Sequence, residues 1–168
     1  DWPANRVLGS HMIVDGSMSR HAIVPASGTV QFPTDEAVAQ GLFKFDLVEP
    51  EAMKSRLNDV SLDNWMKCID EALRKSGDYT REDIDFLNMI LVKPSAHRDM
   101  LQRLGLTEEQ SVYLSSYGHI GEQDSIINII EGLKQGRLHD GDLMAIIGAG
   151  IGYVWAASMV RWGPVGEG

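Results

Sequence analysis

The period of the apolar positions changes several times along the chain, and each change predicts an element. Arg6-Val7-Leu8 and Met12-Ile13-Val14 form one extended stretch that ends at the turn Asp15-Gly16, which predicts a first strand. Within it, Gly9-Ser10-His11-Met12 has the look of residues left by a cleaved expression tag, but the continuity of its flanks reads as native strand. Residues 15–45 are rich in Gly, Pro and Ser and hold no period. A short helix from Pro50 to about Asn58 follows, where a first-turn proline loses no donor and Glu51 suits the positive helix end. Together these make 15–58 a loop-rich connecting segment, of the kind that faces substrates.

Ser61 is positioned to cap a longer helix, in which Trp65, Met66, Ile69 and Leu73 recur at helical spacing until Gly77 ends it. Phe86 to Val92 is a short continuous apolar run, as in a strand buried on both faces of a largely parallel sheet. Ser95 caps a further helix that Gly105 stops near Leu104, and Ser111 to Leu114 is a second short strand candidate. Residues 122–135 carry Ile126, Ile127, Ile129, Ile130 and Leu133 nearly all round, which predicts a buried central helix. After a turn at His139-Asp140-Gly141-Asp142, Leu143 to Ile147 begins a strand that doubles back through glycines into Tyr153 to Trp162. The order βαβαβαββ predicts an α/β layer with a mixed sheet whose last two strands form an antiparallel hairpin. Residues 1–168 read as a single domain.

Composition narrows the partners. With 43% hydrophobic residues the chain buries a real core, and 15 Lys+Arg against 24 Asp+Glu give a net charge of −9. That balance argues against a nucleic-acid surface, which needs a concentrated basic face. One cysteine excludes an internal disulfide framework, and no apolar run approaches membrane-spanning length, so a cytoplasmic setting is expected.

The candidate chemistry is sparse. Gly148-Ala149-Gly150-Ile151-Gly152 is not a dinucleotide fingerprint, because a strand rather than a helix follows it. It reads as a tight hairpin with glycines accepting positive φ, or as a turn whose backbone amide serves as an oxyanion donor. Cys68 lies inside a helix among Trp65, Met66 and Ile69, with nothing beside it to stabilise a thiolate, and reads as packing. His119 sits between glycines just before the apolar helix, where unpaired amides favour an anion or a depressed imidazole. His97 is exposed by pattern, and His11 and His21 show no partner spacing. His139 with Asp140 and Asp142 is too local a cluster for a metal site, so no metal is expected.

Three segments carry a family resemblance: Tyr117-Gly118-His119; Glu131 through Leu138, with Gly136-Arg137-Leu138 at its turn; and Tyr153-Val154-Trp155 through Trp162. They resemble the glycine-asparagine helix, the Asp-Gly-Arg-Ile turn and the closing glycine-rich hairpin of the C-terminal half of ketoacyl-acyl-carrier-protein synthase III, in the thiolase-like condensing-enzyme superfamily. The resemblance runs from about Asn5 to Gly163 and includes the strand into Asp15-Gly16, the helix from Leu62 and the entry Ile84-Asp85-Phe86-Leu87.

The resemblance implies a thiolase-like half domain that pairs with a similar N-terminal half or partner subunit, as a homo- or heterodimer. It implies action on acyl-CoA or acyl-carrier-protein thioesters in fatty acid or polyketide biosynthesis, with no further cofactor and no membrane partner. The family's nucleophilic cysteine belongs to the other half, and Cys68 is not its match, so the isolated chain is expected to be inactive. The family histidine falls on Ile90, which cannot donate a hydrogen bond, and the family asparagine falls on His119, which can. The amide-donating glycine falls near Ile151, in the turn Gly150-Ile151-Gly152, where a backbone amide is still available. Two hypotheses follow: an acyltransferase performing condensation or acyl transfer with His119 as its catalytic polar group, or a degenerate non-catalytic subunit paired with an active enzyme. A third reading is an unrelated α/β small-molecule-binding domain in which the glycine hairpin is purely structural.

Overall fold

A computed structural model describes residues 5–164. In chain order the elements are β1 (Arg6–Val14), β2 (Ala22–Ile23), α1 (Asp35–Ala39), β3 (Asp46–Leu47), α2 (Pro50–Gly77), β4 (Phe86–Met89), α3 (Pro94–Leu104), α4 (Gln123–Lys134), β5 (Leu143–Gly150) and β6 (Val154–Arg161), with three single 3₁₀ turns between them. The described residues fall into two compact units, 5–13 with 61–149 and 155–164 in the first, and 14–60 with 150–154 in the second.

The first unit is built on a four-stranded sheet in the order β1-β6-β5-β4. β4 and β5 run parallel with Phe86 opposite Met144 and Met89 opposite Ile147. The far end of the final hairpin closes through Trp162 N–H to Asp142 O at 2.9 Å and Gly141 N–H to Trp162 O at 2.8 Å. Every side chain of β4 is buried, as the unbroken apolar run requires of a strand covered on both faces. Phe86, Val112, Leu114, Leu138, Met144 and Val160 form one core cluster. The helix α2 lays Trp65, Ile69, Ala72 and Leu73 into the unit. It approaches β1 so closely that a Cβ on Gly9 would stand 2.6 Å from the Ala72 carbonyl oxygen. Gly9 therefore belongs to the packing of the first strand.

Several elements differ from the sequence pattern for identifiable reasons. The expected break at Ser61 is absent and α2 is one 28-residue helix; nothing between Asn58 and Leu62 is a proline or glycine, and serine alone does not stop a helix. The helix α3 is entered at Lys93, with Pro94 as its first residue, rather than capped by Ser95. The strand expected over Phe86–Val92 pairs only to Met89, because the Leu91 amide leaves the ladder and donates to the Asp124 carboxylate at 2.8 Å. Ser111–Leu114 is not a strand: Ser111 makes a single bridge to Leu87, and the carbonyls of Ser111 and Val112 accept from Arg137 and Asn128 side chains. On α4 the buried stripe is Asp124, Asn128 and Gly132, spaced one turn apart, whereas Ile126, Ile130 and Leu133 are exposed in this chain. Gly132 permits this contact, since a Cβ there would lie 2.9 Å from the Phe86 ring.

In the second unit, β2 and β3 pair antiparallel, Ala22 opposite Leu47 and Ile23 opposite Asp46. Thr34 caps α1 by accepting from the Ala37 amide at 3.1 Å. Met18, Ala22, Ala26 and Ala37 are buried, while Val30, Phe32, Val38 and Phe45 are exposed.

Candidate active site

The loop before α4 is bent twice by glycines in the left-handed region, Gly118 at φ 74° and Gly121 at φ 82°. Between the bends lie His119 and Ile120, and both turn onto the first turn of α4. His119 Nδ1 stands 2.6 Å from Asp124 Oδ2, and the Ile120 amide donates to Asp124 Oδ1 at 3.0 Å. The Leu91 amide is the third donor to this carboxylate. Asp124 has no exposed surface, whereas the His119 ring is about half exposed at 52%. Burial pushes the Asp124 carboxyl up, but the Ile120 amide, the His119 ring and the Leu91 amide outweigh it and hold the carboxyl below the ordinary aspartate value. An ionised carboxylate only accepts, so His119 donates through Nδ1, and in the neutral ring this leaves the lone pair on Nε2. Tyr117 ties the same loop to α4 by donating from its hydroxyl to Glu131 Oε1 at 3.0 Å.

Ile90 follows β4 and is buried, its amide donating to the Ile147 carbonyl at 3.3 Å. Its neighbour Leu91 supplies the Asp124 bond, so Ile90 and His119 belong to one locale. A Cβ on Gly148 would lie 3.4 Å from Glu122 Oε2 and 3.9 Å from Ile90 Cγ2, which brings a second carboxylate and an apolar side chain to the same stretch of β5. Trp65 Nε1 donates to the Gly148 carbonyl at 2.7 Å and anchors that backbone. Gly150, Ile151 and Gly152 lie in the second unit. There Gly152 has a φ of 134°, Ile151 is 59% exposed, and a Cβ on Gly150 would meet Val154 at 2.9 Å.

Cys68 is fully buried and its thiol donates to the Trp155 carbonyl at 3.4 Å. Burial pushes the thiol up, as suits packing rather than nucleophilic attack. His97 is buried at 5% exposure rather than solvent-facing, and stands edge-on to Tyr113. His139 faces Asp142 at 3.5 Å. Among the described residues no group of three or more His, Cys, Asp and Glu is arranged to hold a metal, and no helix is long and apolar enough to cross a membrane.

The pattern of residues did not single out Asp124 or Glu122, and it placed Trp65 only as helix packing. The available signal was an acid in the first turn of a helix that follows Gly-His-Ile-Gly, a position where a carboxylate meets free amides and can fold back on the preceding histidine.

Residues 73–162 match the model of the 3-oxoacyl-[acyl-carrier-protein] synthase III C-terminal family. The β-ketoacyl-[acyl-carrier-protein] synthase III of Symbiobacterium thermophilum is 32% identical over 162 residues, which cover 94% of this chain and 46% of that protein. That of Geobacillus kaustophilus is 36% identical over 97 residues, covering 54% and 29%. Among solved structures, the 3-oxoacyl-[acyl-carrier-protein] synthase III of Aquifex aeolicus superposes with a TM-score of 0.72 at 17% identity, over 96% of this chain and 46% of that one. The Thermus thermophilus synthase III superposes with a TM-score of 0.71 at 20% identity, over 95% and 47%. These structures share the thiolase-like α/β fold, and the chain spans about half the length of the synthases that it matches end to end. By the family match and its order of elements, the chain belongs to the C-terminal domain family of 3-oxoacyl-[acyl-carrier-protein] synthase III.

Proposed function

We propose that this domain is the acceptor-activating half of an acyltransferase that works on acyl thioesters, with His119 as general base and Asp124 as the residue that positions it. The observation that carries this reading is the 2.6 Å contact between a fully buried carboxylate and a half-exposed imidazole. The nucleophile comes from an N-terminal thiolase-like half or partner subunit. The acyl group, held there as a thioester, is attacked by a protic acceptor. Nε2 takes the acceptor's proton as its bond to the acyl carbon forms; the carbon–sulfur bond breaks, and the imidazolium returns the proton to the departing thiolate. Asp124 stabilises that imidazolium.

Ile90 favours acyl transfer to such an acceptor over decarboxylative condensation. The resemblance implies a hydrogen-bond donor at that position, and an isoleucine leaves an enolate oxygen without it. The turn Gly150-Ile151-Gly152 offers a backbone amide as an oxyanion donor in this reading. The assembly is a cytoplasmic dimer fed by acyl-CoA or an acyl carrier protein, with no other cofactor, and the exposed Ile126, Ile130 and Leu133 of α4 supply apolar surface for the partner half. Ile90 also favours a second reading, a non-catalytic subunit that supports an active partner.

The test is acyl transfer from labelled acyl-CoA, with this chain alone and joined to its nucleophile half. The chain alone should take no stable label, and the joined protein should lose transfer in His119→Ala. Labelling of this chain at Cys68 would sink the first expectation; full activity of His119→Ala would select the non-catalytic subunit.

A further inference from the structure

A cavity of about 240 Å³ opens between the start of α3, the 3₁₀ turn Glu108–Gln110, the segment carrying Tyr113, and Arg137 beyond α4. Pro94, His97, Arg98, Glu108, Tyr113 and Arg137 line it. We propose that this cavity is a binding site for a small oxyanion, a carboxylate or phosphate group carried by a compact molecule.

Four observations carry the inference. The His97 ring is 95% buried by its 5% exposure, lines the cavity, and makes no hydrogen bond through either ring nitrogen among the described residues. A neutral imidazole holds one donor and one acceptor, so a ring at the cavity wall can offer either to a guest. Arg98 makes no ion pair or hydrogen bond among the described residues, so its planar fork is available to an oxyanion. Arg137 is fixed in place: its Nη1 donates to the carbonyls of Glu108 at 2.8 Å and Ser111 at 2.7 Å, and its side chain lines the cavity. The first turn of α3, an 11-residue helix, has no side-chain cap, so its amides add to the positive potential at Pro94.

The opposing charges are Glu108 in the lining and Glu109, 3.5 Å from Arg137 Nε and 80% exposed. Two guanidiniums and a helix end outweigh them locally in a chain whose net charge is −9. The volume is below the ~300–1,000 Å³ of sites for drug-sized ligands, which fits a group of a few heavy atoms rather than a long acyl chain. The site is distinct from that of His119 but shares its frame: the Tyr113 hydroxyl donates to the Val92 carbonyl at 2.9 Å, one residue beyond the amide of Leu91 that holds Asp124.

Titrating inorganic phosphate and, separately, acetate into the whole chain while following the imidazole NMR signals tests this. The His97 signal is assigned by its loss in His97→Gln. The expected result is a saturable shift of that signal with at least one of the two probes, at a Kd below about 10 mM, with the His119 signal unmoved. Arg98→Ser alters an exposed side chain outside the core and should weaken that binding by about tenfold, as removal of one charged fork does. The probe that saturates tells carboxylate from phosphate. Absence of saturation with both probes in the wild-type chain would overturn the site, as would equal affinity in a folded Arg98→Ser.

Discussion

The His119 and His97 regions both connect to the 90–93 segment and invert each other's design. At the first the acid is buried and the ring is exposed; at the second the ring is buried and cations stand around it. The buried Asp124 is supported by two backbone amides and so stays ionised without an arginine or lysine. It can serve only one purpose toward His119, to accept the Nδ1 hydrogen and present Nε2 as a base. His97 has no such acid, and burial lowers its imidazole below the ordinary value, with Glu108 pulling upward and Arg98 pushing down. The contrast teaches that a histidine's chemistry is set by what is buried beside it: a desolvated carboxylate makes a base, whereas a desolvated ring near guanidiniums makes a neutral hydrogen-bonding wall.

The largest effect should come from removing the acid. Asp124→Asn in the assembled protein should lower kcat about 10²–10⁴-fold, because the amide can present its NH₂ to Nδ1 and favour the wrong tautomer. Combined with His119→Ala it should add almost nothing further, since the two residues act as a unit. Single-turnover acyl transfer with both variants and their combination checks this. Additive losses would separate the pair and break the comparison, leaving Asp124 as a fold residue only.

A smaller effect is expected at Gly132, on the stripe that sets Asp124 and Asn128 against the sheet. In Gly132→Ala the new methyl would meet the buried Phe86 ring at 2.9 Å, and overpacking of this kind costs about 1–3 kcal/mol. The urea midpoint should fall accordingly. An unchanged midpoint would mean that α4 shifts freely on the sheet, and the precise seat of Asp124 would then have another cause.

These two positions also mark where the pattern of residues stopped being informative. Strand β4, the stop of α3 at Gly105 and the closing hairpin follow from local signals: an apolar run, a left-handed glycine with φ 72°, a glycine-punctuated reversal. Asp124 was illegible because its value lies in the amides of Leu91 and Ile120, and the first of these is 33 residues away in the chain. The isoleucines of α4 predict an all-round apolar helix, yet its fully buried stripe is Asp124, Asn128 and Gly132, with Ile127 and Ile129 packed beside it and the Asn88 and Asn128 side-chain amides donating to the carbonyls of Ser125 and Val112. His97 was legible and misread: at i, i+4 and i+7 it shares a stripe with the buried Leu101 and Leu104, and the periodicity outranked the polarity of the side chain.

The smallest effect separates the two histidine regions by pH. A histidine whose folded pKa lies below its unfolded value near 6.5 contributes stability that is fully present above 6.5 and is lost as pH falls through the folded pKa. For Asp124, depressed below 3.8, the contribution is present above 3.8 and is lost only as pH falls through the still lower folded value. Stability should therefore begin to fall just below pH 6.5 on account of His97, well before the acid of the His119 site is touched. The charged and titratable groups that line the cavity with His97 are Arg98, Glu108, Tyr113 and Arg137. Urea midpoints for the wild-type chain and His97→Gln between pH 8 and 5 measure the difference, and the glutamine variant should flatten the upper part of the curve. If both chains lose stability in parallel from pH 6.5, the burial of the His97 ring is not what holds it neutral. The inverted design of the two histidine regions would then rest on Asp124 alone.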